Sequence, residues 1–192
     1  MKLFSNEQLS MIQQCAIRCA QVKSGELSVY EAVELENRRE QLFSESELRI
    51  IWFGAEECRR QNEPEGEMCV YWFVTAYDNE YTYSLEGRIP TLEQAYATAC
   101  LIEPKRNNEY RCVPVRFRNG GTALAPDLIP RAMDGLFCQG GLEEYTPQQA
   151  YVAYEEIHPR LNGNGRYGKL LFNRLNGTLL QPEFPEEPAH FN

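Results

Sequence analysis

Five helix-start signals are distributed along the chain, and they constrain the fold more than any other feature of the sequence. Each is a Ser or Thr followed three residues later by Gln or Glu, the capping box in which each side chain accepts a hydrogen bond from the other residue's backbone N–H. The five pairs are Ser5/Gln8, Ser28/Glu31, Ser44/Glu47, Thr91/Gln94 and Thr146/Gln149. Apolar residues recur at helical spacing after each pair. We therefore predict a mainly α-helical protein.

Other segments carry different signals. We predict that Asp127 caps a helix whose apolar stripe ends at Phe137, and that a further helix runs from about Asn164 to Leu175. The segment 68–77 is either a strand or a buried helix, because periodicity does not distinguish the two. Residues 110–126 surround the turn sequence Asn-Gly-Gly at 119–121, which predicts a β-hairpin.

Charge and composition exclude several classes of partner. The net charge of −9 argues against a nucleic-acid binder and against docking on anionic membranes. The N-terminus has no apolar stretch of the signal-peptide kind, and the longest apolar run, 69–77, is too short to span a bilayer. The seven cysteines include no CxxC pair, which favours reduced thiols over a disulfide framework or a zinc site. We expect a cytoplasmic protein.

A histidine and a glycine-rich turn stand together between two predicted helices. The N-terminus of a helix preceded by glycines binds phosphate, because its first N–H groups lack partners and the helix dipole is positive there. Gly163, Asn164, Gly165 and Arg166 occupy such a position, and His158 at the end of the preceding helix can accept a proton near neutral pH. The pattern predicts nucleotidyl or phosphoryl transfer; a structural histidine beside an ordinary helix–helix turn is the alternative.

Residues 158–169, HPRLNGNGRYGK, also resemble a family signature without gaps. The family is Fic (filamentation induced by cyclic AMP), whose signature is H-x-F-x-[D/E]-G-N-G-R-x-x-R. The preceding hairpin and helix resemble the flap and helix of that family. The resemblance covers about residues 80–178 and implies a mainly helical bundle with a small β-hairpin flap. We predict three regions: N-terminal helices at 1–79, a Fic-like core at 80–178 and a loose tail at 179–192.

The resemblance implies a protein adenylyltransferase that moves AMP from ATP to a Ser, Thr or Tyr hydroxyl of a target protein, or of itself. His158 would be the general base on that hydroxyl. Gly163, Asn164 and Gly165 would hold the phosphates of ATP, and Arg166 the terminal phosphate oxygens. A flap segment, Thr122–Leu124, would align the target by strand addition. Mg²⁺ or Mn²⁺ would neutralise the phosphates. Such a protein acts in its own cytoplasm or is delivered into another cell as an effector.

Three residues depart from the signature. Asn162 stands where the family has an acidic metal ligand, and its amide oxygen binds a hard cation more weakly. Arg160 replaces a phenylalanine, so its charge must reach solvent or a partner. Lys169 replaces the final arginine and lacks the bidentate fork. Two alternatives therefore stay open: a non-catalytic Fic-like module that binds a nucleotide or a protein, and phosphoryl transfer as in the Doc branch of the family.

Thr82–Gly87 also fits the [S/T]-x-x-x-E-[G/N] inhibitory motif of many Fic proteins. In those proteins a glutamate contacts the final arginine of the signature and blocks productive ATP binding. The resemblance implies that Glu86 contacts Lys169 in this way. An ordinary turn at Glu86-Gly87 is the alternative.

Overall fold

Eight α-helices form the described part of the protein. The structure is a computed structural model, and it describes residues 2–21, 28–61, 68–104, 109–117, 120–138 and 140–187. The helices are α1 (Asn6–Gln21), α2 (Val29–Glu40), α3 (Glu45–Gln61), α4 (Met68–Ser84), α5 (Leu92–Ile102), α6 (Ile129–Phe137), α7 (Pro147–Ile157) and α8 (Asn164–Asn176). The prediction of a mainly α-helical protein is confirmed. None of the helices in these ranges is both long and apolar enough to cross a membrane.

All five predicted capping boxes are present at helix N-termini. At α7, for example, the Thr146 hydroxyl accepts a hydrogen bond from the Gln149 backbone, and the Gln149 side chain accepts one from Thr146. The cap predicted at Asp127 is absent, because Pro126–Leu128 form a 3-10 turn and α6 begins after Leu128 without a side-chain cap. Local hydrogen bonding therefore fixes most helix starts in this fold.

The ambiguous segment 68–77 is the first part of α4. This helix packs against α1, α3, α5 and α8, and its buried residues include Phe73 and Tyr77. A helix that is covered on several sides lacks a one-sided apolar stripe, which is why its periodicity was uninformative. The boundary predicted at residues 79/80 falls inside α4, whose buried side chains belong to one apolar core with those of the helices before and after it.

The predicted hairpin region contains one isolated antiparallel bridge, between Arg116 and Thr122. The Phe117 N–H donates to the Gly121 carbonyl over 2.7 Å, and the Ala123 N–H donates to the Val115 carbonyl over 3.0 Å. Residues 118 and 119, at the tip of the predicted turn, lie outside the described residues. The pairing among the described residues is therefore short, and no strand extends from it.

Residues 179–187 pack on the helices, which corrects the prediction of a loose tail for this stretch. The Phe184 ring lies 4.4 Å from that of Phe53, measured between centroids, and the Arg60 guanidinium lies 4.0 Å from the same Phe184 centroid. The Gln148 and Glu186 residues exchange two hydrogen bonds. These contacts bring Glu187 to the side of α7 that faces α8. Residues 188–192 of the predicted tail lie outside the described residues.

A disulfide joins Cys58 near the end of α3 to Cys69 at the start of α4. The prediction of reduced thiols is therefore wrong for these two residues. The short connection between α3 and α4 brings their Cα atoms to 6.2 Å, a normal separation for a disulfide. Sequence spacing did not reveal the pair, because an eleven-residue separation has no diagnostic pattern. The five other cysteines, all within the described ranges, are not joined in disulfides.

Candidate functional site

The turn between α7 and α8 has a backbone that its own residues hold in place. His158 ends α7 in the left-handed conformation, with φ 48° and ψ 60°, which is uncommon for a residue other than glycine. Gly163, the N-cap of α8, also has a positive φ of 78°. Between them the Asn164 side chain closes the loop, accepting from the Arg160 N–H and donating to the Arg160 carbonyl, both over 2.9 Å. Hydrogen bonds within the turn therefore hold its backbone.

His158 is mostly buried beside a cation. Arg111 donates from Nε to the His158 carbonyl over 2.6 Å, and the Phe117 ring meets the imidazole edge-on at 5.5 Å between centroids. Burial lowers the pKa of His158 to about 4, and the positive charge of Arg111 contributes a smaller part of this decrease. A hydrogen bond with the Glu155 backbone acts in the opposite direction and raises the pKa. The imidazole is therefore neutral at pH 7 and can accept a proton.

A cavity of about 540 Å³ connects His158 to the first turns of α8. This volume lies within the range of small-molecule sites. Three of the residues predicted from the sequence line it together, namely His158, Gly165 and Lys169. The remaining lining residues are Arg60, Gln61, Val115, Arg116, Phe117, Tyr151, Glu155 and Glu187.

The end of α3 covers the first turn of α8. Gly163, Asn164 and Gly165 are all buried there. A Cβ atom added at Gly165 would lie 2.6 Å from Nε2 of Gln61 and 3.6 Å from Oε1 of Glu57. Because Gly165 has no side chain, a neighbouring group can pack directly on this helix N-terminus. In this structure the neighbouring groups are the side chains of Gln61 and Glu57.

Lys169 lies between two carboxylates. Its Nζ is 3.1 Å from Oε1 of Glu57 and 2.9 Å from Oε1 of Glu187, and its side chain is 2% exposed. Tyr151 donates its hydroxyl to the second Glu187 oxygen over 2.9 Å. Burial on its own lowers the pKa of Lys169, but Glu57 and Glu187 raise it overall. The charge of Lys169 is therefore already balanced by protein groups.

Arg166 lies inside the protein, so its predicted place at the mouth of the phosphate site is wrong. The guanidinium is fully buried and forms an ion pair with Glu103, with Nη2 and Oε2 at 3.2 Å. It also donates to the Cys69 sulfur and to the Ile102 carbonyl. Position 166 faces α4 and α5, and α8 therefore directs this side chain away from the cavity.

The predicted metal ligand Asn162 has both ends of its amide engaged. Its Oδ1 accepts from the Gly163 N–H over 2.8 Å, and its Nδ2 donates to Glu103 over 3.1 Å. Within the described ranges, no group of three or more His, Cys, Asp or Glu side chains is placed to hold a metal ion. The residues present do not fit the protein-held magnesium site that the resemblance implies.

Arg160 is accommodated by two tyrosine rings. Its guanidinium carbon lies 4.2 Å from the Tyr96 centroid and 4.9 Å from the Tyr110 centroid, and the residue is 2% exposed. Cations are attracted to aromatic faces at these distances. Arg160 is therefore buried, although the Fic signature has a phenylalanine at this position, and its guanidinium forms cation–π contacts with the two tyrosines.

Glu86 does not contact Lys169, which corrects the predicted inhibitory pair. Glu86 is exposed after the end of α4 and accepts a hydrogen bond from Gln94 over 3.2 Å. The carboxylate of α3 that meets Lys169 is Glu57. The turn that contains Glu86 begins with a Leu85 N–H to Thr82 carbonyl bond, as expected of an ordinary helix end.

The predicted target-binding residues lie beside a second, apolar groove. Thr122 is exposed, Ala123 and Leu124 are partly buried, and the Leu124 N–H donates to the Glu156 carbonyl of α7 over 3.0 Å. The groove has a volume of about 650 Å³ and shares Phe117 with the first cavity. Its apolar walls come from Leu124, Ala132, Leu136, Tyr145, Ala153 and Ile157.

Several polar side chains of the site were not predicted from the sequence: Glu57, Arg60, Gln61, Arg116, Tyr151, Glu155 and Glu187. Glu57 and Gln61 reach the site only through the packing of α3 on α8, and Glu187 only through the folded C-terminal stretch. Glu155 had a readable signal, because it lies three residues before His158 and therefore on the same face of α7.

No protein-family model and no curated protein matches this sequence. The function is therefore inferred from the residues and their geometry.

Proposed function

We propose that this protein transfers AMP from ATP to a Ser, Thr or Tyr hydroxyl of a protein. One observation carries the proposal: His158, Gly165 and Lys169, which the sequence predicts as base and phosphate-binding residues, line a single cavity. The gap-free resemblance of residues 158–169 to the Fic signature supports the same reaction. The acceptor is a separate target protein or another part of this chain.

His158 is the proposed base. Its imidazole is neutral above its lowered pKa of about 4 and lines the cavity. A neutral imidazole can take the proton of an acceptor hydroxyl as that oxygen attacks phosphorus. Because the left-handed turn and Arg111 fix the backbone of His158, the ring needs little reorganisation to do so.

The N-terminal turn of α8 is the proposed phosphate site. The helix dipole favours an anion there, and Gly165 places no Cβ in its way. Arg60 and Arg116 line the same cavity and add positive charge. Gln61 and Glu57 now lie against this turn, so ATP binding requires the end of α3 to move. Glu57 thus occupies the role that the resemblance assigns to an inhibitory glutamate.

The proposed target site is the bridged segment around Thr122. Its short antiparallel pairing with residues 115–117 resembles the base of a hairpin flap, to which an extended peptide can add as a further strand. The apolar groove beside it can take an apolar side chain near the acceptor hydroxyl. Phe117 lies between the two sites and lines both.

Intact-protein mass spectrometry after incubation with ATP, with Mg²⁺ and separately Mn²⁺, tests the proposal on the protein itself as acceptor. We expect an AMP-sized mass gain that is absent in His158→Ala and larger in Glu57→Ala, which frees Lys169 from one carboxylate. Glu86→Ala is the matched control, because that exposed glutamate does not contact Lys169. If none of these proteins gains AMP, including Glu57→Ala, AMP transfer to this chain itself is contradicted, and only a separate target protein is left as the acceptor.

A non-catalytic module that binds a nucleotide or a protein is the second candidate. The inward ion pair of Arg166 with Glu103 favours it, because the nucleotide loses one predicted phosphate ligand. It predicts saturable ATP binding by calorimetry that is equal in wild type and His158→Ala, with no covalent product. A phosphate-sized mass gain in the experiment above would instead support the Doc-like phosphoryl transfer.

A further inference from the structure

Two titratable side chains on one face of α7 have opposite electrostatic environments. Glu155 and His158 are three residues apart, and both line the cavity that holds Gly165 and Lys169. Burial beside Arg111 keeps His158 neutral, as described above. Acid–base catalysis requires one group that is unprotonated and can accept a proton, and a second group that is protonated and can donate one. The environments of His158 and Glu155 favour these two states.

Glu155 is a buried carboxyl group that lacks a partner on one oxygen. The residue is 7% exposed, and its Oε1 is buried without a hydrogen bond. Gly168 of α8 makes room for it, since a Cβ atom at that position would lie 2.6 Å from Glu155 Oε1. A buried polar atom without a partner is costly, and such atoms in native structures call for an explanation.

Charged groups face Glu155 from each neighbouring element, and burial together with two of them favours its protonated form, whereas the Lys169 ammonium opposes it. The charged groups are Glu57 of α3, Lys169 of α8 and Glu187 of the C-terminal stretch, with the Tyr151 hydroxyl on α7 itself. Lys169 is already shared by Glu57 and Glu187, at 3.1 and 2.9 Å. Burial first, and the two glutamates as smaller contributors, raise the pKa of Glu155 to about 8 against the opposing charge of Lys169.

Arg60, Arg116 and the neutral His158 are the other side chains in the lining of the cavity that can carry a positive charge. Arg60 also forms an ion pair with Glu56 and lies over Phe184, and Arg116 is exposed. Neither arginine is among the groups that shift the Glu155 pKa. The carboxyl group therefore combines burial, a place in the lining of the cavity and no arginine that neutralises it.

We propose that Glu155 is the general acid of the transfer reaction, giving its proton to the phosphate oxygen that leaves. This role rests on the function proposed above. The acceptor hydroxyl oxygen forms a bond to the α-phosphorus of ATP as its proton passes to His158. The bond from the α-phosphorus to the bridging oxygen breaks, and that oxygen takes the proton of Glu155 and departs with pyrophosphate. His158 then returns its proton to water, and Glu155 regains one from water.

A pair of donors with different leaving groups tests this role. ATP releases pyrophosphate, whereas the p-nitrophenyl ester of AMP releases a nitrophenolate that needs no proton. We expect Glu155→Gln, which keeps the size and neutrality of the protonated acid, to slow AMP addition from ATP by about 100-fold. The same variant should transfer from the nitrophenyl ester within a few-fold of wild type. Adduct formation on the protein, followed by intact mass, is the measurement.

Glu187→Gln is the matched control, because Glu187 lines the same cavity but is held by Tyr151 and Lys169. It should change transfer from the two donors by the same factor. The pH profile supplies an independent readout: transfer from ATP should fall above about pH 8 in wild type, and transfer from the nitrophenyl ester should not. An equal loss with both donors in Glu155→Gln, or no loss with either, overturns the acid role alone. Absence of an adduct in wild type with both donors instead overturns the proposed AMP transfer to this chain itself, on which the test of the acid role depends.

Discussion

Replacing Glu155 with glutamine should remove a pH-dependent part of the free energy of unfolding. The folded-state pKa of Glu155 is about 8, raised from an ordinary value of 4.5 mainly by burial. The folded protein therefore binds more protons than the unfolded chain between these two values. This contribution to stability is fully present below about pH 4.5 and is lost as the pH rises through about 8.

The size of the effect follows from the shift. One pKa unit corresponds to about 1.4 kcal/mol, so Glu155 alone should lower the free energy of unfolding by about 2 kcal/mol between about pH 6.5 and pH 8.5. His158 contributes in the opposite direction at lower pH, because its folded pKa lies below its ordinary value of 6.5. Its effect is small above about pH 6.5, and comparison of the wild type with Glu155→Gln separates Glu155 from the other buried carboxyl groups with raised pKa values, Glu57 and Glu80.

Urea unfolding at several pH values, followed by tryptophan fluorescence with the disulfide kept oxidised, measures this dependence. The wild type should lose stability over the interval, and Glu155→Gln should lose about 2 kcal/mol less. Glu156→Gln, on the same helix but exposed, should follow the wild type. Parallel curves for wild type and Glu155→Gln would refute the reasoning, because they would show that Glu155 is ionised in the folded protein throughout.

Two further predictions concern the packing around the site. Gly168→Ala places a Cβ 2.6 Å from Glu155 Oε1 and 3.1 Å from the Tyr151 ring, so we expect urea unfolding to show a free energy of unfolding lower by about 1–3 kcal/mol. Gly135→Ala is the control, because its Cβ would have nothing within 4 Å, and it should raise the free energy of unfolding by up to about 1 kcal/mol. Reduction of the Cys58–Cys69 disulfide should lower the unfolding free energy by about 3 kcal/mol, and an unchanged urea midpoint in the Cys58→Ser/Cys69→Ser double variant would contradict this.

The sequence predicted the parts of the fold that depend on local hydrogen bonds. Capping boxes such as Thr91/Gln94 place their polar side chains within three residues of each other, so the pattern that predicts the helix also forms its first contacts. The start of α4 lacks such a signal. Its aromatic and β-branched residues are compatible with a strand, and only packing against four other helices makes it helical.

The candidate site likewise has one part that local residues determine and another part that long-range packing determines. The turn from His158 to Gly165 was predictable because its backbone depends on residues within it, including the Asn164 side chain that bonds to Arg160. The surroundings of Lys169 were not predictable. Glu57 comes from α3 and Glu187 from the C-terminal stretch, and neither distance along the chain carries a pattern. Long-range charge pairs are set by packing, which single-sequence periodicity does not report.

The three departures from the Fic signature have different structural consequences. The Arg160 guanidinium packs on the rings of Tyr96 and Tyr110, and Asn162 accepts a hydrogen bond from the Gly163 N–H within the turn. Both changes are therefore compatible with the backbone conformation around His158. Lys169 differs, because its single ammonium is shared by Glu57 and Glu187 and offers no second donor face of the kind that an arginine fork provides. A triphosphate that approaches Lys169 therefore meets two carboxylates, and the cations left to receive it are Arg60 and Arg116 in the lining of the same cavity. For the proposed transfer we therefore expect donor binding, rather than the proton-accepting capacity of His158, to limit the rate. Freeing Lys169 should then affect the rate more than any change at residues 160 or 162.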